Sequence, residues 1–91
     1  MVNRIEIRRP TSDELNKISI TNWNEWTSEV GNFEWEYMDH EEAYFFEGRV
    51  IVTPEDGSPV EIQAGCLAKF PKGMKCRWQV IEPVRKVYKL G

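Results

Sequence analysis

Residues 65–78 read GCLAKFPKGMKCRW, and this stretch decides the fold class of the chain. Apolar residues precede Pro71-Lys72-Gly73, and apolar and polar residues alternate after it. Alternation with a period of two is typical of a strand with one buried face, and a proline with a glycine two positions later is typical of a tight turn. The stretch therefore predicts a strand pair, residues 66–70 and 75–80, joined by a short turn.

The same texture continues on both sides of this stretch. Aromatic residues alternate with carboxylates just after residue 32, and two apolar runs flank Gly48. Further strands are predicted at residues 4–8, 33–38, 43–46, 50–53, 60–62 and 84–90. About eight short strands separated by turn residues, with no long helix between them, indicate an antiparallel sandwich or barrel. We expect an all-β domain, a small jelly-roll barrel.

The first thirty residues have a different character. Ile5 and Ile7 predict a short strand that ends before Pro10, and residues 11–14 have the form of a capping box at the start of a short helix. We interpret Trp23 and Trp26 as side chains that close one side of the core. The predicted organisation is one domain, with residues 1–30 as an N-terminal arm packed on a barrel of residues 31–91.

Composition restricts the function classes. Of the 91 residues, 41% are hydrophobic and eleven are aromatic, which is too apolar for a disordered chain. The net charge of -3 argues against a polybasic nucleic-acid binder, although residues 1–48 are strongly acidic and residues 49–91 are basic. Two cysteines make no disulfide framework, and no apolar run is long enough to span a bilayer, so we expect a cytoplasmic protein without a membrane partner.

Two spacings in the chain resemble the two sequence motifs of the cupins, which are jelly-roll barrels. The spacings join Glu41 to Gly48, and Gly65 to Pro71, Gly73 and Cys76. The resemblance covers residues 31–91. Within that superfamily, residues 70–73, 76–78 and 82–86 look most like the small stand-alone cupins related to ureidoglycine aminohydrolases and ethanolamine-utilisation cupins.

The resemblance implies a divalent metal, but the chain departs from the usual ligand set of histidines and one glutamate. The two histidines of the first motif fall on Trp35 and Tyr37, or on residues 34 and 36, and the histidine of the second motif becomes Cys76. Glu41 and Cys76 are the only candidates to hold Zn, Mn or Fe. The favoured interpretation leaves the metal set largely lost, with a hydrogen-bonded Glu41 and a buried Cys76.

The candidate site is therefore an aromatic pocket inside the barrel. Its expected ligand-binding residues are Trp35, Tyr37, Tyr44, Cys76 and Trp78, with Glu41 as a candidate acid or base. The alternative is that these rings simply fill the barrel. A Cys76–His40 nucleophile pair is a weaker hypothesis, since neither residue has a local partner in sequence. Arg85 and Lys86 either hold an anionic group or form surface ion pairs.

These features support two functions. The first is a cupin that binds a small organic molecule and performs lyase, isomerase or aminohydrolase chemistry as its relatives do. The alternative is a non-catalytic homodimer or partner-binding barrel, with the N-terminal arm and the acidic half in contact. Single-stranded nucleic acid is a third hypothesis, which rests on basic and aromatic residues between 69 and 78, and the net acidic charge argues against it.

Overall fold

The structure is a computed structural model that describes residues 4–91. Its strands are β1 (Glu6–Arg8), β2 (Asn24–Ser28), β3 (Gly31–Glu36), β4 (Glu41–Pro54), β5 (Val60–Gln63), β6 (Leu67–Phe70) and β7 (Lys75–Leu90). One helix, α1 (Ser12–Lys17), and a single 3-10 turn (Ile20–Asn22) lie between β1 and β2. The all-β prediction is confirmed. Across the described part of the chain, no helix is long and apolar enough to cross a membrane.

The two longest strands, β4 and β7, form the centre of one antiparallel sheet. They pair from Glu41 opposite Leu90 to Pro54 opposite Cys76. On its other side, β4 pairs with β6 along its first part and with β5 along its second part, while β7 pairs with β3 and then with β2. Finally, β1 extends the sheet beyond β6. Residues 24–28, which fall in the predicted arm, therefore form a strand of the sheet.

Two predicted boundaries are wrong, because residues 43–46 and 50–53 belong to one continuous strand, as do residues 75–80 and 84–90. The irregular position in β4 is Gly48, whose φ is +100°, and the pairing with β7 shifts register between Phe45 and Val50. The backbones approach so closely that a Cβ at Gly48 would lie 2.3 Å from the Pro83 carbonyl oxygen. A bulge thus lets the strand continue where the sequence suggested a break.

The bulge also keeps both halves of β4 facing the core. Ala43 and Phe45 are fully buried before it, and Val50 and Val52 are fully buried after it. The inward positions change from odd to even numbers, as expected when extra residues enter one strand of a pair. All four side chains join a single core cluster with residues of β5, β6 and β7.

The predicted strand pair around Pro71-Lys72-Gly73 is also corrected. Both strands form, but β6 pairs with β1 and β4, and β7 pairs with β2, β3 and β4. The turn between them is bonded to the backbone of Tyr37. The Tyr37 N–H donates to the Met74 carbonyl at 2.9 Å, and the Tyr37 carbonyl accepts from the Gly73 N–H at 2.6 Å. These two hydrogen bonds fix the position of Tyr37.

Gly48→Ala tests the close approach of β4 to β7 at the bulge. We expect it to lower the free energy of unfolding by about 2–5 kcal/mol, because positive-φ strain adds to a clash with the Pro83 backbone. Urea denaturation followed by circular dichroism measures the loss. The control is Gly73→Ala, where φ is +85° but nothing lies within 4 Å of the added Cβ. Equal losses in the two variants would contradict the close approach.

Candidate functional site

A cavity of about 460 Å³ opens between β2, β3, β7 and the start of β4. Its aromatic lining residues are Trp26, Phe33, Trp35, Tyr37, Trp78 and Tyr88. The other lining residues are Ser28, Glu41, Lys86 and Leu90. We call this space the aromatic cavity. Its volume and its apolar wall with a few polar groups are typical of small-molecule sites.

A buried ion pair lies in the wall of the aromatic cavity. The Lys86 ammonium donates a hydrogen bond to Glu41 Oε2 at 2.8 Å, and the two side chains are only 7% and 8% exposed. Glu41 begins β4, and Lys86 lies on the inward face of β7 with Val84. The two charges compensate each other, which is the usual condition for burying either one.

Aromatic rings surround the Lys86 ammonium on several sides. Its Nζ atom lies 4.8 Å from the ring centroid of Trp78 and 4.9 Å from that of Trp26. Rings of Phe45, Phe70 and Tyr88 are within 6 Å. These ring faces attract the cation, but burial lowers the pKa of Lys86, while the neighbouring Glu41 carboxylate acts in the opposite direction.

Two further polar groups in the wall have no well-aligned partner among the described residues. The Tyr37 hydroxyl and the Trp78 indole N–H are buried without a hydrogen bond of good geometry, although the indole N–H lies close to both the Tyr37 hydroxyl and the Cys76 thiol. The Tyr37 ring stacks on Phe70 with 4.6 Å between centroids. Burial, together with the negative charge of Glu41, raises the pKa of Tyr37 far above its usual range, so the hydroxyl stays a donor. An unpaired buried donor costs about 1–3 kcal/mol, and a ligand acceptor would remove that cost.

The structure brings four of the predicted site residues together and leaves two outside. Glu41, Trp35, Tyr37 and Trp78 line the aromatic cavity, although Trp35 is half exposed at its edge. Tyr44 lies on the outer face of β4, where its ring packs edge-on against exposed Phe46. Strand alternation explains this placement, since residues 41, 43 and 45 face inward. The register left open by the sequence places Tyr37 inside and Glu36 outside.

Cys76 is buried in the core but does not line the aromatic cavity. Its thiol donates a weak hydrogen bond to the Trp35 carbonyl at 3.6 Å. Burial raises the pKa of Cys76 to about 11, although the nearby Trp78 indole N–H and, to a smaller extent, the Lys86 ammonium act in the opposite direction. His40 is exposed, and its Nδ1 accepts from the Lys72 N–H at 3.4 Å. The Cys76–His40 pair is therefore not formed, and the thiol is not activated.

The residues present do not fit the divalent metal implied by the resemblance to cupins. The Glu41 carboxylate is bonded to the Lys86 ammonium, a positive charge that would repel a metal ion at the same oxygen. Within residues 4–91, no three His, Cys, Asp or Glu side chains gather in a metal-binding group.

Six residues that line the aromatic cavity were not among the predicted ligand-binding residues, and they are Trp26, Ser28, Phe33, Lys86, Tyr88 and Leu90. Lys86 was expected to hold an anionic group or to form a surface ion pair, but its ion pair with Glu41 is buried. Lys86 alternates with Val84 and Tyr88, so its inward position could have been inferred from the period of two in the last strand. Residues 24–28 read NEWTS and contain one apolar side chain, so no alternation of apolar and polar residues indicated β2. Trp26 packs against the core, as expected, and its ring also forms part of the cavity wall. Arg85, by contrast, forms an exposed ion pair with Glu47 at 2.9 Å.

The pH dependence of Cys76 tests its placement. The Cβ chemical shift of isotope-labelled cysteine in a Cys66→Ala variant should titrate near pH 11 in the folded protein. Because the folded pKa lies above the ordinary value of 9.0, Cys76 contributes stability that is complete below pH 9 and lost as the pH rises through about 11. A midpoint below 9 would show a thiolate-stabilising site and revive the nucleophile hypothesis.

Comparison with solved structures shows which proteins the chain resembles. A DUF861 family protein from Thermotoga maritima has 45% sequence identity and a TM-score of 0.95, over 97% of this chain and 100% of that one. The Clostridium difficile EutQ protein has 26% identity and a TM-score of 0.64, over 70% of this chain and 50% of that one. A DUF1255 protein from Acidithiobacillus ferrooxidans, at 19% identity and a TM-score of 0.67 over 69% and 60%, shares the fold.

A family model gives the assignment. Curated proteins contain no match to this chain. The model of the EutQ-like cupin domain matches residues 17–88, most of the chain. The predicted jelly-roll fold and the resemblance to small cupins of this type are confirmed. The protein is therefore a member of the EutQ-like cupin family.

Proposed function

We propose that this cupin binds a small organic molecule in the aromatic cavity, and that the ligand carries an apolar ring and hydrogen-bond acceptor groups. One observation carries the proposal: a cavity of about 460 Å³ is walled by aromatic rings around a buried ion pair. In the alternative interpretation the rings fill the barrel, yet here they leave space beside Glu41 and Lys86. A cavity of this volume accommodates a one-ring or two-ring compound.

The polar groups in the wall favour a ligand with acceptor atoms. The Lys86 ammonium has three N–H groups, and Glu41 accepts one of them. The Tyr37 hydroxyl and the Trp78 indole N–H add two more donors without a well-aligned partner in the described chain. The matching acceptors are the second Glu41 oxygen and the hydroxyl oxygens of Ser28 and Tyr88, which are also donors. This excess of donors suits carbonyl or carboxylate oxygens, while the ring walls suit a flat apolar body.

The alternative function, a homodimer or partner-binding barrel, stays a prediction, as does the cytoplasmic location. Four large apolar side chains are more than half exposed, and they are Val30, Trp35, Met38 and Leu90. Two of them, Trp35 and Leu90, also line the aromatic cavity. A second copy placed over these residues would cover the cavity edge, so dimer formation and ligand binding are compatible proposals.

Ligand binding is tested with benzamide, which combines one aromatic ring with one carbonyl acceptor. We expect saturable shifts in the amide NMR spectrum at residues of the cavity wall, and quenching of tryptophan fluorescence. Ser28→Phe should weaken binding about tenfold or more, because a ring added at Ser28 fills the cavity without removing either charge. The matched control is Ser58→Phe, at an exposed turn away from the cavity. Equal benzamide affinity in the two variants would contradict the proposal.

A further inference from the structure

We propose that Lys86 is a nucleophile that forms an imine with the carbonyl carbon of an aldehyde or ketone held in the aromatic cavity, and that Glu41 carries the protons. This inference rests on the proposed function, because the carbonyl compound must first occupy the cavity. It assigns a reaction to a pair of residues that lie far apart in the sequence and meet only in the folded chain.

The position of Lys86 differs from that of every other lysine. The chain has six lysines, and the other five are exposed at positions 17, 69, 72, 75 and 89. Lys86 is 5% exposed, yet it lines the aromatic cavity rather than solid core. Its amine therefore meets a molecule inside the cavity while bulk water is largely kept away.

The surroundings of Lys86 favour release of a proton. A lysine reacts as a nucleophile only when its amine is neutral, and burial among Trp26, Trp78 and Phe45 disfavours the ammonium form. The charged or titratable groups that face Lys86 are Glu41 from β4 and Cys76 and Tyr88 from its own strand. Glu41 stabilises the ammonium, but at 2.8 Å it is also placed to accept the proton.

The reaction needs no redox partner. The ammonium first gives a proton to the Glu41 carboxylate, and the nitrogen lone pair then forms a bond to the carbonyl carbon while the C=O π electrons move to oxygen. Glu41 returns that proton to the oxygen, giving a hydroxyl group. It then takes a second proton from nitrogen and passes it to the hydroxyl, which leaves as water as the C=N bond forms. Ammonium and carbonyl compound thus become a protonated imine and water, with the Glu41 carboxylate restored.

The unpaired donors of the wall suit the same step. Negative charge develops on the carbonyl oxygen as nitrogen attacks, and preorganised donors stabilise such charge most strongly in a dry site. Tyr37 and Trp78 supply an O–H and an N–H that form no well-aligned hydrogen bond within residues 4–91. Both residues line the cavity that Lys86 faces. Cys76 is the other buried nucleophile candidate, but it does not line this cavity.

Reductive trapping tests the proposal. The protein is incubated with benzaldehyde and sodium cyanoborohydride, which reduces an imine to a stable amine, and peptide mass spectrometry locates the benzyl group. We expect the labelling rate of Lys86 to be at least about tenfold higher than that of any exposed lysine. Lys86→Arg keeps a positive charge beside Glu41 but should remove this fast labelling. Lys89→Arg, on the same strand and exposed, should leave it unchanged.

The outcomes separate this inference from the proposed function. Labelling spread evenly over the six lysines, in a protein that still binds benzamide, would overturn the imine proposal and leave ligand binding intact. Absence of both benzamide binding and Lys86 labelling would overturn both. If Lys86→Arg does not fold, the distribution of label in the unmodified chain decides the question, and loss of Lys86 labelling in folded Ser28→Phe shows that the cavity is the route.

Discussion

The antiparallel pairing of β4 with β7 is the constraint on which the rest of the structure depends. Every other strand attaches to one of these two or, for β1, to a strand that does. The close approach of Gly48 to the Pro83 carbonyl lets both strands pass through an irregular point without ending. The same pairing brings Glu41 at the start of β4 and Lys86 near the end of β7 into one wall. The fold and the candidate site therefore have a common origin.

The buried Glu41–Lys86 pair calls for a functional explanation. Two buried charges must recover the cost of leaving water, and apolar residues of similar size often stabilise a core as well or better. Here the pair lies in the wall of the aromatic cavity rather than in solid core. In the proposed chemistry both charges have a role, because Lys86 forms a bond to the ligand and Glu41 moves protons. The same pair explains why the divalent metal implied by the resemblance to cupins does not fit the residues of this site.

Strand alternation and turn residues were enough to predict the all-β fold and most strand positions, but they left open whether Tyr37 or Glu36 faces inward, because a shift of one residue exchanges the two faces of a strand. Sequence patterns are local, however, and the pairing of Glu41 with Lys86 spans 45 residues. The continuity of β4 was hidden because Gly48 resembles a break until its neighbour Pro83 is known. The bulge also changes which positions of β4 face inward. Tyr44 lies before the bulge, where the odd-numbered residues face inward, and it therefore faces outward.

The most direct measurement is the titration of Lys86 by NMR of its isotope-labelled side chain, in the unmodified protein and in Glu41→Gln. The account predicts a pKa below that of an ordinary lysine, because burial disfavours the charge, and a further fall when the Glu41 carboxylate is removed. Glu47→Gln is the control, since it removes an exposed carboxylate paired with neighbouring Arg85. A Lys86 that titrates like the exposed lysines, unchanged by Glu41→Gln, would contradict the buried pair and the chemistry built on it.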